Sequence, residues 1–555
     1  MTAPLSTASG WSPQRVVVVG ALWTALACNW PLWRLIWQLE EFGLGSRMTL
    51  LAVLALGTAA LLCVLLAPLA WARTVRPALI VVFACAALIA HFIGTYGVVI
   101  NPSMMRNAMQ TDVREVRDLL GLGFLASLLV LGVLPAAVLM RVALRPQRWS
   151  VGLRRNAVLL AGSLAVVALG LFASFADMAS LMRGRPDVRY MITPLNGFYS
   201  LAAQARGPSG LKPAGPPQPV ATDASVSPLA QGQRPRLLLL VVGETARADR
   251  FSLNGYARST SPELARRDVV SFSDVTSCGT DTASSLPCMF SLLPRDEYVA
   301  LDRPQENLLD VLQRSGLAVL WIDNQSGCKG LCQRIPNALA RDPAVGAPPL
   351  PAALCRGDEC FDLALLHGLE HRIAALDPAR RARGIVVVLH QMGSHGPAYY
   401  LRTPDERKPF QPECRSVSLR SCDKAALDNA YDNTIAYTDH VLARAIDWLE
   451  TQSGAYDAAL LYISDHGESL GENQLYLHGM PYRLAPREQT HVPMVAWWPT
   501  HTARASGITL ECARRLSARP LTHSHLAHTV LAWMDVRTAS LRKDLDAFAA
   551  CRERP

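Results

Sequence analysis

Charge is scarce in this chain. Only 18% of its 555 residues are Asp, Glu, Lys or Arg, half are hydrophobic, and mean hydropathy is +0.17. Soluble domains carry about a quarter charged residues, so much of this chain is not built for water. Nucleic-acid-binding motifs are missing. The net charge of +9 comes with Arg clusters beside apolar runs, which is the pattern of membrane topology control rather than of a nucleic-acid patch. Internal repeats are absent, which excludes a repeat architecture. No small-residue cleavage site with a hydrophilic start follows the first apolar run, so that run reads as a span and not as a cleaved leader.

The apolar residues that are present concentrate before about residue 180. Five runs there reach the roughly 20 residues that cross a bilayer. They are 15–37 (RVVVVGALWTALACNWPLWRLIW), 48–71, 77–99, 119–142 and 156–176. Arg73 and Arg76 lie between the second and third runs. Arg141, Arg145, Arg148, Arg154 and Arg155 surround the loop between the fourth and fifth. By the positive-inside rule both loops are cytoplasmic, which puts everything after 180 outside, facing the periplasm. Segment 99–118 is then an outer loop, either a solvated connector or an amphipathic stretch lying on lipid head groups. Residues 181–235 read as a bridging segment followed by a flexible Pro-, Gly- and Ala-rich linker (GPSGLKPAGPPQPV). The expected domains are therefore 1–180 in the membrane and 236–555 outside it.

From 236 the pattern changes. Short continuous runs rich in Leu and Val read as buried parallel strands: RLLLLVVGE (236–244), LAVLWIDN (317–324), GIVVVLHQMGSH (384–395), AALLYISDHGE (458–468) and VPMVAWWP (492–499). Helical stretches separate them, as in 306–316 and 429–450. Alternation of this kind predicts an α/β domain with a mostly parallel sheet. Ligands of such sheets bind beyond the carboxyl ends of the strands. Glu244, His390, His395, Asp465 and His466 all stand at strand ends and should converge. Each alone has an ordinary role, as a helix cap or a satisfied histidine. Two carboxylates and a histidine together suit Zn²⁺ and leave a fourth position open.

Cysteines lie where an oxidising compartment would use them. None occurs between Cys85 and Cys278, and ten of the thirteen lie from Cys278 onward. Close pairs 278/288, 328/332, 355/360 and 414/422 predict local disulfides. Zinc is the competing use, but no Cys/His pair has structural-zinc spacing. Cys512 and Cys551 remain, and can pair with each other. The stretch SCGTDTASSLPCMFS (277–291) is bracketed by the first pair. A hydroxyl near the start of a helix there would face both a metal and the positive helix end, which favours a nucleophile. Thr280, Thr282, Ser284 and Ser285 all qualify.

Taken together, GETARADRFSLNGY (243–256), SCGTDTASSLPCMFS, DNQSGCKGLC (323–332), LHQMGSHGPAYY (389–400), ISDHGESLGENQLYLHGMPY (463–482) and QTHVPM (489–494) resemble the phosphoethanolamine transferases of Gram-negative bacteria, which modify lipid A and include the mobile colistin resistance enzymes. The resemblance runs through nearly the whole chain. It implies five membrane helices and a periplasmic catalytic domain of the alkaline phosphatase/sulfatase type on the inner membrane. It implies zinc ligands at Glu244, Thr282, Asp465 and His466, with Thr282 as nucleophile, one tightly bound Zn²⁺ and room for a second. Lys329, His395 and His478 fall on positions near the substrate phosphate. Asn107, Thr111 and Glu115 fall on positions linked to the donor head group, with His390 as a weaker substrate-binding candidate. The implied partners are phosphatidylethanolamine as donor and lipid A as acceptor, with no nucleic acid and a monomer favoured. A sulfatase nucleophile motif of the Cys-x-Pro-x-Arg type is lacking, which argues against sulfate ester hydrolysis. Two rivals remain on the sequence: transfer to another acceptor, such as a core heptose or a periplasmic glucan, and a non-catalytic membrane sensor on a degenerate metal fold.

Overall fold

A computed structural model describes residues 10–40, 42–110, 119, 121–185, 187–206 and 216–552. These fall into two compact units, one of Met1–Met105 with Leu119–Ala205 and one of Arg206–Pro555 with the short Arg106–Asp118 segment.

The first unit is helical. Helices Leu44–Leu69, Val75–Tyr96, Leu122–Arg141 and Trp149–Ala173 are each long and apolar enough to cross a membrane. The first expected span is instead a pair, Pro13–Ala27 and Trp30–Trp37, bent by 52°. The break has a local cause. Asn29 leaves helical geometry, and Pro31 in the first turn of the second helix offers no backbone donor. The Asn29 side chain holds the corner, donating to the Thr24 and Thr193 carbonyls at 3.2 and 2.9 Å and accepting from the Thr193 amide at 2.8 Å. In the expected outer loop, Pro102–Gln110 is helical, with Asn101 Oδ1 accepting from Met104 N at 2.7 Å. Thr111 and Glu115 lie outside the described residues.

The second unit is built on one eight-stranded sheet. In chain order its strands are β1 (Arg236–Gly243), β2 (Val270–Thr276), β3 (Ala318–Asp323), β4 (Asn337–Leu339), β5 (Ile385–His390), β6 (Asp457–Ser464), β7 (His491–Trp497) and β8 (Leu521–Thr522). Their spatial order is β8-β2-β7-β6-β1-β5-β3-β4. Strands β6, β1, β5, β3 and β4 run parallel, as do β8 and β2. Strand β7 departs from the parallel expectation and pairs antiparallel with both neighbours. The chain between β6 and β7 comes back to the end of the sheet where β6 finishes. Gly467 N donates to Gln489 O and Glu468 N to Glu488 O, so β7 starts at that end and must run back.

The central strands are apolar on both faces because both faces are covered. Val386 and Val388 point into one core with Leu286, Met289 and Phe290, while Val387 and Leu389 point into the other with Leu442 and Ile446. The first core lies under a short helix, α1 (Thr282–Met289), and the second under a long one, α2 (Lys424–Gln452). The segment expected as linker is fastened to this unit over its last part. Gln218 N donates to Pro304 O, and Ser225–Val226 pairs with Val536–Arg537.

Candidate metal centre and nucleophile

Register sets the site. Gly243 on β1 pairs with Ser464 on β6, and Val242 pairs with His390 on β5. The next residues on β1 and β6, Glu244 and Asp465, therefore leave the sheet side by side, and Asp465 N donates to Gly243 O at 2.9 Å. His466 follows. Glu244, Asp465 and His466 are all fully buried, and their ligand atoms lie within 4.8 Å of one another.

The third wall comes from α1. Asp281 caps this helix, its side chain accepting from Ser284 N at 2.9 Å, so Thr282 is the first helical residue. The turn before it packs closely: a Cβ on Gly279 would lie 2.7 Å from Ser285 N. Thr282 Oγ1 then sits 3.1 and 3.2 Å from the Glu244 carboxylate oxygens and 3.3 Å from His466 Nε2. Of the four hydroxyls open on the sequence, Thr282 is the one against the cluster. Thr280 donates to the Met480 carbonyl and Ser285 to the Asp465 carbonyl.

The electrostatics of the cluster call for a cation. His466 Nδ1 lies 3.0 Å from the Gly467 carbonyl and donates to it, which turns the Nε2 lone pair toward the carboxylates. Burial and the neighbouring Asp465 charge push the Glu244 carboxyl up to about 7. Asp465 Oδ2, buried, accepts no hydrogen bond among the described residues. Convergent acceptors with an orphaned buried oxygen fit a divalent ion, and the nitrogen–oxygen donor set suits zinc.

The other expected residues divide. His478 lies against His466 with ring centroids 4.5 Å apart and planes tilted by 49°, and the His395 ring centroid lies 5.7 Å from that of His478. Burial first, then the positive neighbours His478 and Arg402, hold His395 well below its ordinary value. Lys329 sits in a left-handed turn between Gly327 and Gly330, its Nζ 2.7 Å from Ser326 Oγ. His390 is drawn elsewhere: it is fully buried with Nδ1 3.0 Å from Asp323 Oδ2, directly across the β5–β3 pairing.

Supporting residues that sequence reasoning overlooked lie just behind. Asp362 accepts from Met392 N at 2.7 Å and Gly393 N at 2.9 Å, which holds the His390–His395 loop. Gly393 has φ +52°, and a Cβ there would lie 2.7 Å from the Glu244 carbonyl oxygen. Glu468 Oε2 lies 3.4 Å from His478 Nδ1. Disulfides join Cys278–Cys288, Cys328–Cys332, Cys355–Cys360 and Cys414–Cys422, and Cys512–Cys551 pairs as well.

Comparison with known proteins agrees over nearly the whole chain. The family model described as Phosphoethanolamine transferase EptA/EptB matches residues 58–207, and the Sulfatase model matches 236–536. The chain is 40% identical over 513 residues to phosphatidylethanolamine transferase Mcr-1 of Escherichia coli, covering 91% of each chain. It is 40% identical over 468 residues to phosphoethanolamine transferase EptA of Salmonella typhimurium, covering 83% of each. Its structure resembles the integral membrane lipooligosaccharide phosphoethanolamine transferase A of Neisseria meningitidis with a TM-score of 0.90 at 32% identity, over 98% of this chain and 99% of that one.

Proposed function

Because this chain belongs to the phosphoethanolamine transferases of the EptA/Mcr type, we propose that it moves phosphoethanolamine from phosphatidylethanolamine to a phosphate of lipid A through a covalent Thr282 intermediate. The observation that carries this reading is the Thr282 hydroxyl standing 3.1 Å from Glu244 inside a buried acidic and histidine cluster. The donor and a lipooligosaccharide acceptor follow the relatives, one a phosphatidylethanolamine transferase and one a lipooligosaccharide phosphoethanolamine transferase. Zinc would be held by Glu244, Asp465, His466 and the Thr282 oxygen; when bound it supplies a Lewis acid for charge that develops on oxygen.

Two steps follow. Thr282 Oγ1 attacks the donor phosphorus, its proton passing to an acceptor such as Glu244, which it already faces. The bond to the diacylglycerol oxygen breaks, and that oxygen takes a proton from His478, while His395, held neutral by its burial, lines the site beside it. A lipid A phosphate oxygen then attacks the same phosphorus, and Thr282 leaves with a proton returned. Lys329 offers positive charge to the phosphoryl oxygens. Asn107, Thr111 and Glu115 contact the donor head group in this reading. Both substrates are lipids, which accounts for a membrane anchor on a hydrophilic catalytic domain. The added amine lowers the negative charge of the outer surface, so cationic peptides such as polymyxins bind less.

Mass analysis of lipid A tests the reading. Cells expressing the native protein gain one phosphoethanolamine per modified lipid A and tolerate more polymyxin. Cells expressing Thr282→Ala at equal levels gain neither. Native lipid A without added mass sinks the acceptor, and an active Thr282→Ala sinks the nucleophile.

A further inference from the structure

His523 stands outside every motif considered so far, yet it touches both halves of the candidate centre. It follows β8, and its backbone is pinned because His523 N donates to Thr276 O at 3.0 Å. Its side chain is fully buried. Nδ1 lies 3.0 Å from the Cys278 amide, which can only donate, so Nδ1 is the acceptor. Nε2 lies 2.9 Å from the Ser464 carbonyl, which can only accept, so Nε2 carries the proton. The two bonds fix a single neutral tautomer. Burial agrees, pulling the imidazole down to about 4.

The two partners are significant by position. Cys278 opens the turn that carries Thr282. Ser464 is the last residue of β6, immediately before Asp465 and His466. Ser285 of α1 closes the triangle: its Oγ donates to the Asp465 carbonyl and lies 3.3 Å from His523 Nδ1. No backbone ladder joins the Thr282 turn directly to the end of β6, because β7 lies between β2 and β6. The imidazole bridges that gap.

We propose that His523 is a positioning residue that sets the Thr282 hydroxyl against the Asp465–His466 turn, acting as a neutral strut and not in proton transfer. Both ring nitrogens are committed to backbone groups, so neither is left to serve the substrate. The proposal rests on the Thr282 reading above. A nucleophile displaced by about 1 Å can lose roughly 100-fold in rate, so the strut controls turnover more than binding.

Three substitutions separate the two bonds in the full-length protein. His523→Asn keeps an acceptor where Nδ1 stands. His523→Gln keeps a donor where Nε2 stands. His523→Phe keeps the ring and neither bond. Donor turnover and zinc release to a chelator are measured on detergent-purified protein, with the folded fraction from thermal melting. His523→Phe should lower kcat by about 100-fold, and Asn and Gln by about 10-fold each, with KM for phosphatidylethanolamine within about twofold. Zinc should leave faster in the same order. A His523→Phe protein with kcat within about threefold of native and unchanged zinc release overturns the proposal. So do Asn and Gln variants whose losses merely track the folded fraction, which keeps the test decisive should Phe not fold. If the native protein transfers nothing, the functional reading fails, while the zinc-release series still decides whether His523 positions the centre.

Discussion

Asp323 and His390 face each other at the ends of β3 and β5, and their coupling has a sign. Burial disfavours charge on both. Burial is the largest single effect on each, but the His390 charge and hydrogen bond together with the Trp321 and Gly327 donors lower Asp323, and the Asp323 carboxylate together with the Glu244 and Asp465 charges raises His390. Trp321 Nε1 and the amides of Gln325 and Gly327 also donate to the carboxylate. A carboxyl lowered on folding contributes stability above its unfolded value near 3.9 and loses it as pH falls through the folded value. A histidine raised on folding contributes stability below about 6.5 and loses it as pH rises through the folded value. The pair is therefore worth most between about pH 4 and 6.5. Breaking a buried pair costs about 3 kcal/mol. Asp323→Asn should lower the melting temperature most near pH 5–6, with the gap from native narrowing toward pH 9. A gap that stays constant across that range would contradict the assignment.

At the scale of elements, the nucleophile depends on a helix of eight residues with a proline inside it. Intrinsic propensity does not hold such a helix. Three external ties do: the Asp281 cap, the packing of Leu286, Met289 and Phe290 on the sheet, and the Cys278–Cys288 disulfide. Closing a loop of ten residues restricts the unfolded chain by about 3 kcal/mol. Cys278→Ser with Cys288→Ser should lower stability by about that amount, read from denaturant unfolding. Transfer should fall further than the folded fraction does, because the disulfide closes the turn on which Thr282 stands. A double variant with native turnover per folded molecule would reduce the disulfide to a general staple. Zinc content measured on the same preparations separates a displaced helix from a lost ion.

For the whole molecule, what was legible followed continuity along the chain. The strands read as unbroken Leu and Val runs are there because they are buried on both faces. Strand β2, VSFSDVT, gives no continuous apolar run because its burial alternates, and β4 and β8 are too short for any period to show. His523 lacks a local signal altogether, since its partners lie about 60 and 245 residues away. Span length was legible, but the corner at Asn29 depends on contacts with Thr193, far along the chain. Orientation in the membrane was read from arginines alone, and it makes the last prediction. Ser150 lies in the first turn of the helix Trp149–Ala173, near Arg148 and Arg154 in sequence, and is exposed. Val345 is 91% exposed on the catalytic unit. If the Arg-rich loops are cytoplasmic, Val345→Cys reacts with a membrane-impermeant maleimide once the outer membrane alone is opened. Ser150→Cys reacts only after the inner membrane is breached as well. The native cysteines set the background, since ten are paired and Cys28, Cys63 and Cys85 lie within the spans. Labelling of Ser150→Cys from the periplasm would reverse the topology. It would also place the five disulfides on the reducing side of the membrane, where such bonds do not persist, so the two observations must stand or fall together.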